Sequence, residues 1–152
     1  MTGNPIVDGL QQVLAAQHLA VYAYPVIGVQ VGGDAAGRAR TAEAAHRLTR
    51  DAVSDQLTAL GAVPQAAEPE YRPELPADSA AGAAAWAVAV EEQSSATYRF
   101  LLECAVRAGG AQRQLRQQAL AGLTGAALAA LPWRAMITPD RPSTAFPGAA
   151  NS

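Results

Sequence analysis

Residues 61–77, GAVPQAAEPEYRPELPA, decide the fold of this chain. The stretch holds four prolines and shows neither a helical nor a strand period, so it is a connector between two regular segments. At full extension its seventeen residues reach about 55 Å, whereas a helix of ~24 residues is only about 36 Å long. The connector can therefore run the length of a helical bundle and re-enter at the opposite end.

Helical signals flank it on both sides. Upstream, Asn4-Pro5 opens the first helix, because an Asn side chain can accept from a free first-turn amide and Pro suits the first helical position. Its apolar stripe is Ile6, Leu10, Val13, Ala20, Val21, Tyr24 and Val31, with Gln17 inside it, and Gly32-Gly33 ends it. Pro25 should kink it. Asp34 can cap the second helix, which runs to Leu60 and stops at Gly61. One of its faces carries Ala42, His46, Thr49, Val53, Leu57 and Leu60, and the other carries Arg40, Arg47, Asp51 and Asp55.

Downstream, Asp78 is the expected cap of a third helix that ends before Gly109-Gly110. It carries two apolar stripes, one with Ala84, Val88, Ser95 and Leu102 and one with Trp86, Val90, Leu101 and Cys104, so neighbours should cover it on two sides. The fourth helix, from about Ala111, shows Leu115, Leu120, Leu123, Ala127 and Leu131 and should be cut by Pro132. A proline-rich tail follows, with Phe146 as its anchor. The expected organisation is one bundle over residues 1–136 and a tail over 137–152.

The first and second helices, and the third and fourth, are separated by only a few residues, so each pair should form an antiparallel hairpin. With the long crossover between them, the second and third helices lie parallel. The expected fold class is all-α, a four-helix bundle of two antiparallel hairpins, which is the arrangement of ferritin-like bundles.

Composition agrees. Thirty-seven of the 152 residues are alanine, against two Phe, two Trp and four Tyr, which favours closely packed helices over a β-sandwich. A net charge of −2, carried by eleven arginines and no lysine on the basic side, leaves no electrostatic footprint for nucleic acid. The N-terminus lacks a signal-peptide pattern, and the longest apolar run, residues 81–90, is too short for a membrane span. A cytoplasmic protein is expected. Cys104 stands alone, which excludes an intrachain disulfide and suggests a small buried hydrophobe.

Four stretches, QHLAVYAYPVIG (17–28), AAHRLTRDAVSDQLTALGAVP (44–64), VEEQSSATYRFLL (90–102) and STAFPG (143–148), resemble the ferritin-like domain of unknown function 4439 of actinobacterial proteins. The resemblance covers nearly the whole chain and implies a ferritin-like bundle without an established activity. A ferritin-like di-iron centre takes one Glu from each of two helices and a Glu-x-x-His from each of the other two. Here Glu43 and His46 have the right spacing, and Glu91 and Glu92 lie on the third helix. Gln17 stands where this family commonly has Glu before the His. The fourth helix, from Ala111 to Leu131, has no Asp, Glu or His, so no di-iron centre and no cofactor are expected. A weak single-metal site at Glu43, His46 and Glu91 is the alternative.

His18 and Tyr22, four apart, could form a hydrogen-bonded pair, and Trp86 should fill a core layer. The candidate polar interior is thus Gln17, His18, Tyr22, Glu43, His46, Glu91 and Glu92. The expected function is non-catalytic binding or scaffolding, with an incomplete or intersubunit metal site and a small-molecule sensor as rivals. A homodimer is the expected assembly, motivated by a second apolar edge on the first helix at Val7, Leu14, His18 and Val21.

Overall fold

The computed structural model describes residues 3–142 and Pro147. Four helices are present among them: α1 (Pro5–Val31), α2 (Gly33–Ala59), α3 (Ala80–Arg107) and α4 (Arg113–Ile137). Asn4 caps α1 as its sequence position suggests, its Oδ1 accepting from the Ile6 amide at 3.0 Å. The other two expected caps shift. Ser79 rather than Asp78 caps α3, accepting from the Gly82 amide at 3.0 Å. At α2 the cap is Gly32, and Asp34 sits in the first turn, where its charge still complements the helix dipole. Only glycine makes the α1–α2 corner easily, because Gly32 and Gly33 have φ of 64° and 50°.

Neither internal proline ends its helix. α1 is continuous through Pro25, which lies on an exposed side of the helix. α4 continues through Pro132 to Ile137, correcting the expected stop. An interior proline costs about 3 kcal/mol. The next residue offsets this: Trp133 is 1% exposed, and burying an indole of ~200 Å² contributes about 5 kcal/mol.

The pairing of residues settles the topology. Gly9 abuts Leu101 and Tyr24 meets Glu91, so α1 and α3 run antiparallel; Gln17 meets His46 while Gly28 abuts Ala39, and Glu92 meets Arg134 while Tyr98 abuts Gly122, so α1–α2 and α3–α4 do as well. α2 and α3 are therefore parallel, in two hairpins joined by the crossover. α1 packs on α2 and α3, and α3 packs on α1 and α4, while α2 and α4 make no extensive contact. The bundle is left open along the α2–α4 seam.

The connector lies along α1. Gln11 donates to the Val63 carbonyl at 2.7 Å and accepts from the Gln65 amide at 2.9 Å, and the His18 ring meets the Gln65 carbonyl at 3.0 Å. Tyr22 packs its ring against Tyr71. Of the α1 edge that motivated a homodimer, His18 meets the chain's own crossover, while Leu14 is buried in a core and Val7 packs against it.

Two apolar cores result. One holds Ala20, Tyr24, Ile27, Trp86, Ala87 and Trp133; the other holds Leu10, Val13, Leu14, Val53, Leu57 and Leu101. The inward face of α4 differs from the leucine stripe read from its sequence. Ala119, Ala126, Ala130 and Trp133 are buried, Leu115 and Leu123 pack partly against the second core, and Leu120 is exposed. Alanine and glycine let α4 approach α3 closely: a Cβ on Gly122 would lie 2.3 Å from the Tyr98 ring. By length and composition α4 could also cross a membrane. Within the bundle it packs on α3, and Arg134 pairs with Glu92. Phe146 lies outside the described residues, as does all of STAFPG except Pro147.

Candidate functional site

A polar layer separates the two cores. Gln17 from α1, His46 from α2, and Glu91 and Ser94 from α3 converge there. Gln17 and Glu91 sit on the buried faces of helices whose neighbouring turns are apolar, so packing of those turns carries both into the interior. Both are 1% exposed, and the His46 side chain is 12% exposed. His46 Nδ1 lies 2.7 Å from Gln17 Oε1, and Nε2 lies 3.0 Å from Glu91 Oε1. The Tyr24 hydroxyl donates to the same Glu91 oxygen, and its ring stacks on His46. Gln17 Nε2 lies 3.4 Å from Ser94 Oγ. Oε2 of Glu91 takes part in none of these bonds and is not sealed from the cleft.

Two proton arrangements satisfy these positions. In one, an imidazolium donates from both nitrogens, to Gln17 and to Glu91, and the layer carries no net charge. In the other, the Gln17 amide is turned so that Nε2 donates to a neutral His46, which donates to Glu91, and the layer carries one negative charge. Both leave Oε2 of Glu91 as an acceptor.

Above the layer the α2–α4 seam opens into a cleft of about 260 Å³. Gln17, Glu91, Ser94 and Tyr98 line it from α1 and α3; Ala42, Ala45, His46 and Thr49 line it from α2, and Gly122, Gly125, Ala126 and Ala129 from α4. The seam is tied on both sides of the cleft. Toward one end the Gln56 and Gln118 amides bond reciprocally at 2.9 and 3.0 Å; toward the other the Arg38 guanidinium lies over the Trp133 ring at 5.7 Å.

The remaining candidates lie elsewhere. Glu43 pairs with Arg47 one turn on, and Glu92 pairs with Arg134 at 2.6 Å. His18 and Tyr22 contact the connector rather than each other, and neither joins the polar layer. Trp86 is buried in the first core. Sequence reading missed Tyr24 and Ser94 as members of the layer; the stripe position of Tyr24 close to Gln17 was the one available signal. A di-iron centre does not fit these residues. The α4 wall supplies only Gly and Ala, both His46 nitrogens are already engaged, and among the described residues no three His, Cys, Asp or Glu side chains gather as a donor set. Glu43, turned to Arg47, is likewise not assembled with His46 and Glu91 into a single-metal site.

The two cleft glycines separate packing from free space. A Cβ on Gly125 meets nothing within 4 Å, so Gly125→Ala should raise stability by about 1 kcal/mol through helix propensity alone. Gly122→Ala drives a methyl into the Tyr98 ring and should lower stability by about 1–3 kcal/mol. Urea unfolding of the pair checks both signs, and equal effects would contradict the geometry.

Burial and the neighbouring Glu91 charge push the Tyr98 phenol up to about 12, and burial foremost, with Glu91, pushes Tyr24 upward as well. The unfolded chain loses these protons near pH 10 while the folded one keeps them. Stability is therefore complete below pH 10 and falls as pH rises, through about 12 for Tyr98 and beyond for Tyr24. With two protons retained, the slope should approach −3 kcal/mol per pH unit, or roughly that, just above this onset, and Tyr98→Phe should about halve it. A urea midpoint that stays flat through this range would refute the burial of both phenols.

Burial also raises the Cys104 thiol, so its reaction with disulfide reagents should follow unfolding.

No curated protein matches the chain. Among solved structures it is similar to a conserved hypothetical protein, rv2844, from Mycobacterium tuberculosis, with 27% identity and a TM-score of 0.79 over 90% of this chain and 99% of that one. Residues 9–151 match the family described as Domain of unknown function (DUF4439). On that match, which takes in all four helices from the second turn of α1 onward, the chain belongs to the DUF4439 family.

Proposed function

We propose that this protein binds a compact small molecule in the α2–α4 cleft and does so without catalysing a reaction on it. The observation that carries this reading is the composition of the α4 wall: Gly125, Ala126 and Ala129 leave about 260 Å³ open above the buried Gln17–His46–Glu91 layer. Side chains of ordinary size at those positions would fill it. The volume lies just under the range of about 300–1,000 Å³ typical of drug-sized ligands, so the occupant is smaller than a nucleotide. Of the lining hydroxyls, Ser94 Oγ meets Gln17 and Thr49 donates to the Ala45 carbonyl, so neither is hydrogen-bonded to His46 or Glu91 as a nucleophile is to its base.

Thermal-shift screening against metabolites tests the reading. A ligand at 100 times its dissociation constant stabilises the fold by about 2.7 kcal/mol. Its effect should vanish in Gly125→Phe, which fills the cleft from a position with free space around its Cβ. Hits that survive this substitution would place binding elsewhere. Stoichiometric iron or manganese in protein purified without chelator, lost on His46→Ala, would replace ligand binding with a metal role.

Self-association is a second reading, now favoured on α4, where Leu120, Leu128, Met136 and Ile137 are exposed. Light scattering that finds only monomer at micromolar concentrations overturns it. We place the protein in the cytoplasm, in keeping with its unpaired Cys104.

A further inference from the structure

We infer that the cleft selects a compact organic amine, held with its ammonium group on Oε2 of Glu91 and its apolar body between the alanines of α2 and α4. The inference rests on the cleft being a ligand site and adds the chemistry of the ligand. Glu91 is 1% exposed, lines the cleft, and spends Oε1 on both the Tyr24 hydroxyl and His46 while Oε2 takes part in neither bond. Oε2 is not sealed inside the protein but opens to the cleft, where a charged N–H is the strongest donor it can accept from.

The surroundings exclude the opposite charge. None of the eleven arginines lines the cleft, and the chain has no lysine. The one potential cation there, His46, already has both ring nitrogens directed at Gln17 and Glu91, so an anion would find no free charged donor and would face Oε2. A cation instead selects the arrangement with neutral His46, in which the layer carries one negative charge. Ser94 Oγ, also lining the cleft, offers a second acceptor beside it. A hard divalent ion is a poor fit, since Glu91 is the single carboxylate among the lining residues and such ions take six or more oxygens. Ala42, Ala45, Ala126 and Ala129 supply methyl groups for a short branched alkyl chain.

Isobutylammonium, isobutanol and isobutyrate share one apolar body and differ in the head group, so titrating each into isotope-labelled protein isolates the charge preference. Isobutylammonium should shift the amide resonances of His46, Ser94 and Gly125 saturably. It should bind at least about tenfold more tightly than the alcohol, the ratio a charge-assisted hydrogen bond of ~1.4 kcal/mol produces. Isobutyrate should produce no saturable shift. Glu91→Gln, which keeps the acceptor for Tyr24 and His46, should erase the preference for ammonium, and Gly125→Phe should abolish binding of both the amine and the alcohol.

Alcohol or carboxylate binding at these residues as tightly as the amine overturns the amine inference and leaves the cleft a ligand site. Ammonium binding that persists in Gly125→Phe overturns both. If none of the three probes shifts the cleft resonances, the amine inference falls; the wider reading falls with it only when the metabolite screen also yields no Gly125→Phe-sensitive hit.

Discussion

Trp133→Ala is expected to lower stability by about 3–5 kcal/mol, a large share of the ~5–15 kcal/mol that holds a domain of this size together. The indole is among the largest fully buried side chains, packing near the Tyr24 ring at 6.0 Å between centroids and lying under the Arg38 guanidinium. It also follows Pro132, so its burial offsets the proline penalty in the last turns of α4. Truncation should therefore release residues 132–137 as well as leave a cavity. The measurement is urea unfolding combined with amide exchange of α4. Trp133→Ala together with Pro132→Ala should regain part of the loss, since the new residue returns an amide and a good helix former. A loss below 1 kcal/mol, or no change in exchange at the end of α4, would contradict this account.

His46→Leu should cost about 3 kcal/mol, toward the lower end of what removing one partner of a buried ion pair costs. Glu91 then keeps only the Tyr24 hydroxyl, and Gln17 Oε1 loses its donor. The 12% exposure of His46 means that water entering through the cleft replaces part of the loss. Glu91→Leu alone should cost a comparable amount, because Tyr24 and His46 lose their shared acceptor. The triple variant His46→Leu/Glu91→Leu/Tyr24→Phe should be less destabilised than the sum of its parts, since Tyr24, His46 and Glu91 no longer leave one another unpaired and only Gln17 Oε1 is left without its donor. Additive losses would show that the three side chains do not act as one network. These variants also separate roles, because a layer retained for ligand recognition is one that stability alone does not require.

Much of the fold is legible along the chain. Asn4-Pro5, the glycine pairs at 32–33 and 109–110 and the proline-rich stretch at 61–77 are local signals whose physics does not depend on distant residues. Legibility declines where local and tertiary terms compete. Pro132 reads as a stop until the burial of Trp133 is counted, and the leucines of α4 read as its core face until Gly122 is seen against Tyr98. The candidate site was half legible. Gln17, His46 and Glu91 were all in the expected polar interior and converge, whereas His18, Tyr22, Glu43 and Glu92 have the same chemistry but point to the connector, Arg47 or Arg134. Residue type cannot distinguish the two groups, because a difference of one position turns a side chain by about 100° on a helix.

Sequence alone thus determined four helices, their order and the direction of each, because helix ends are local and a connector's reach is simple arithmetic. Only the tertiary structure decided that α2 and α4 stand apart, that the resulting cleft opens onto Glu91, and that His46 bridges Gln17 to it. Those facts depend on how closely each helix pair can approach. Gly122 lets α4 sit tightly on α3 at Tyr98, while Gly125 and Ala129 leave nothing to fill the space toward α2.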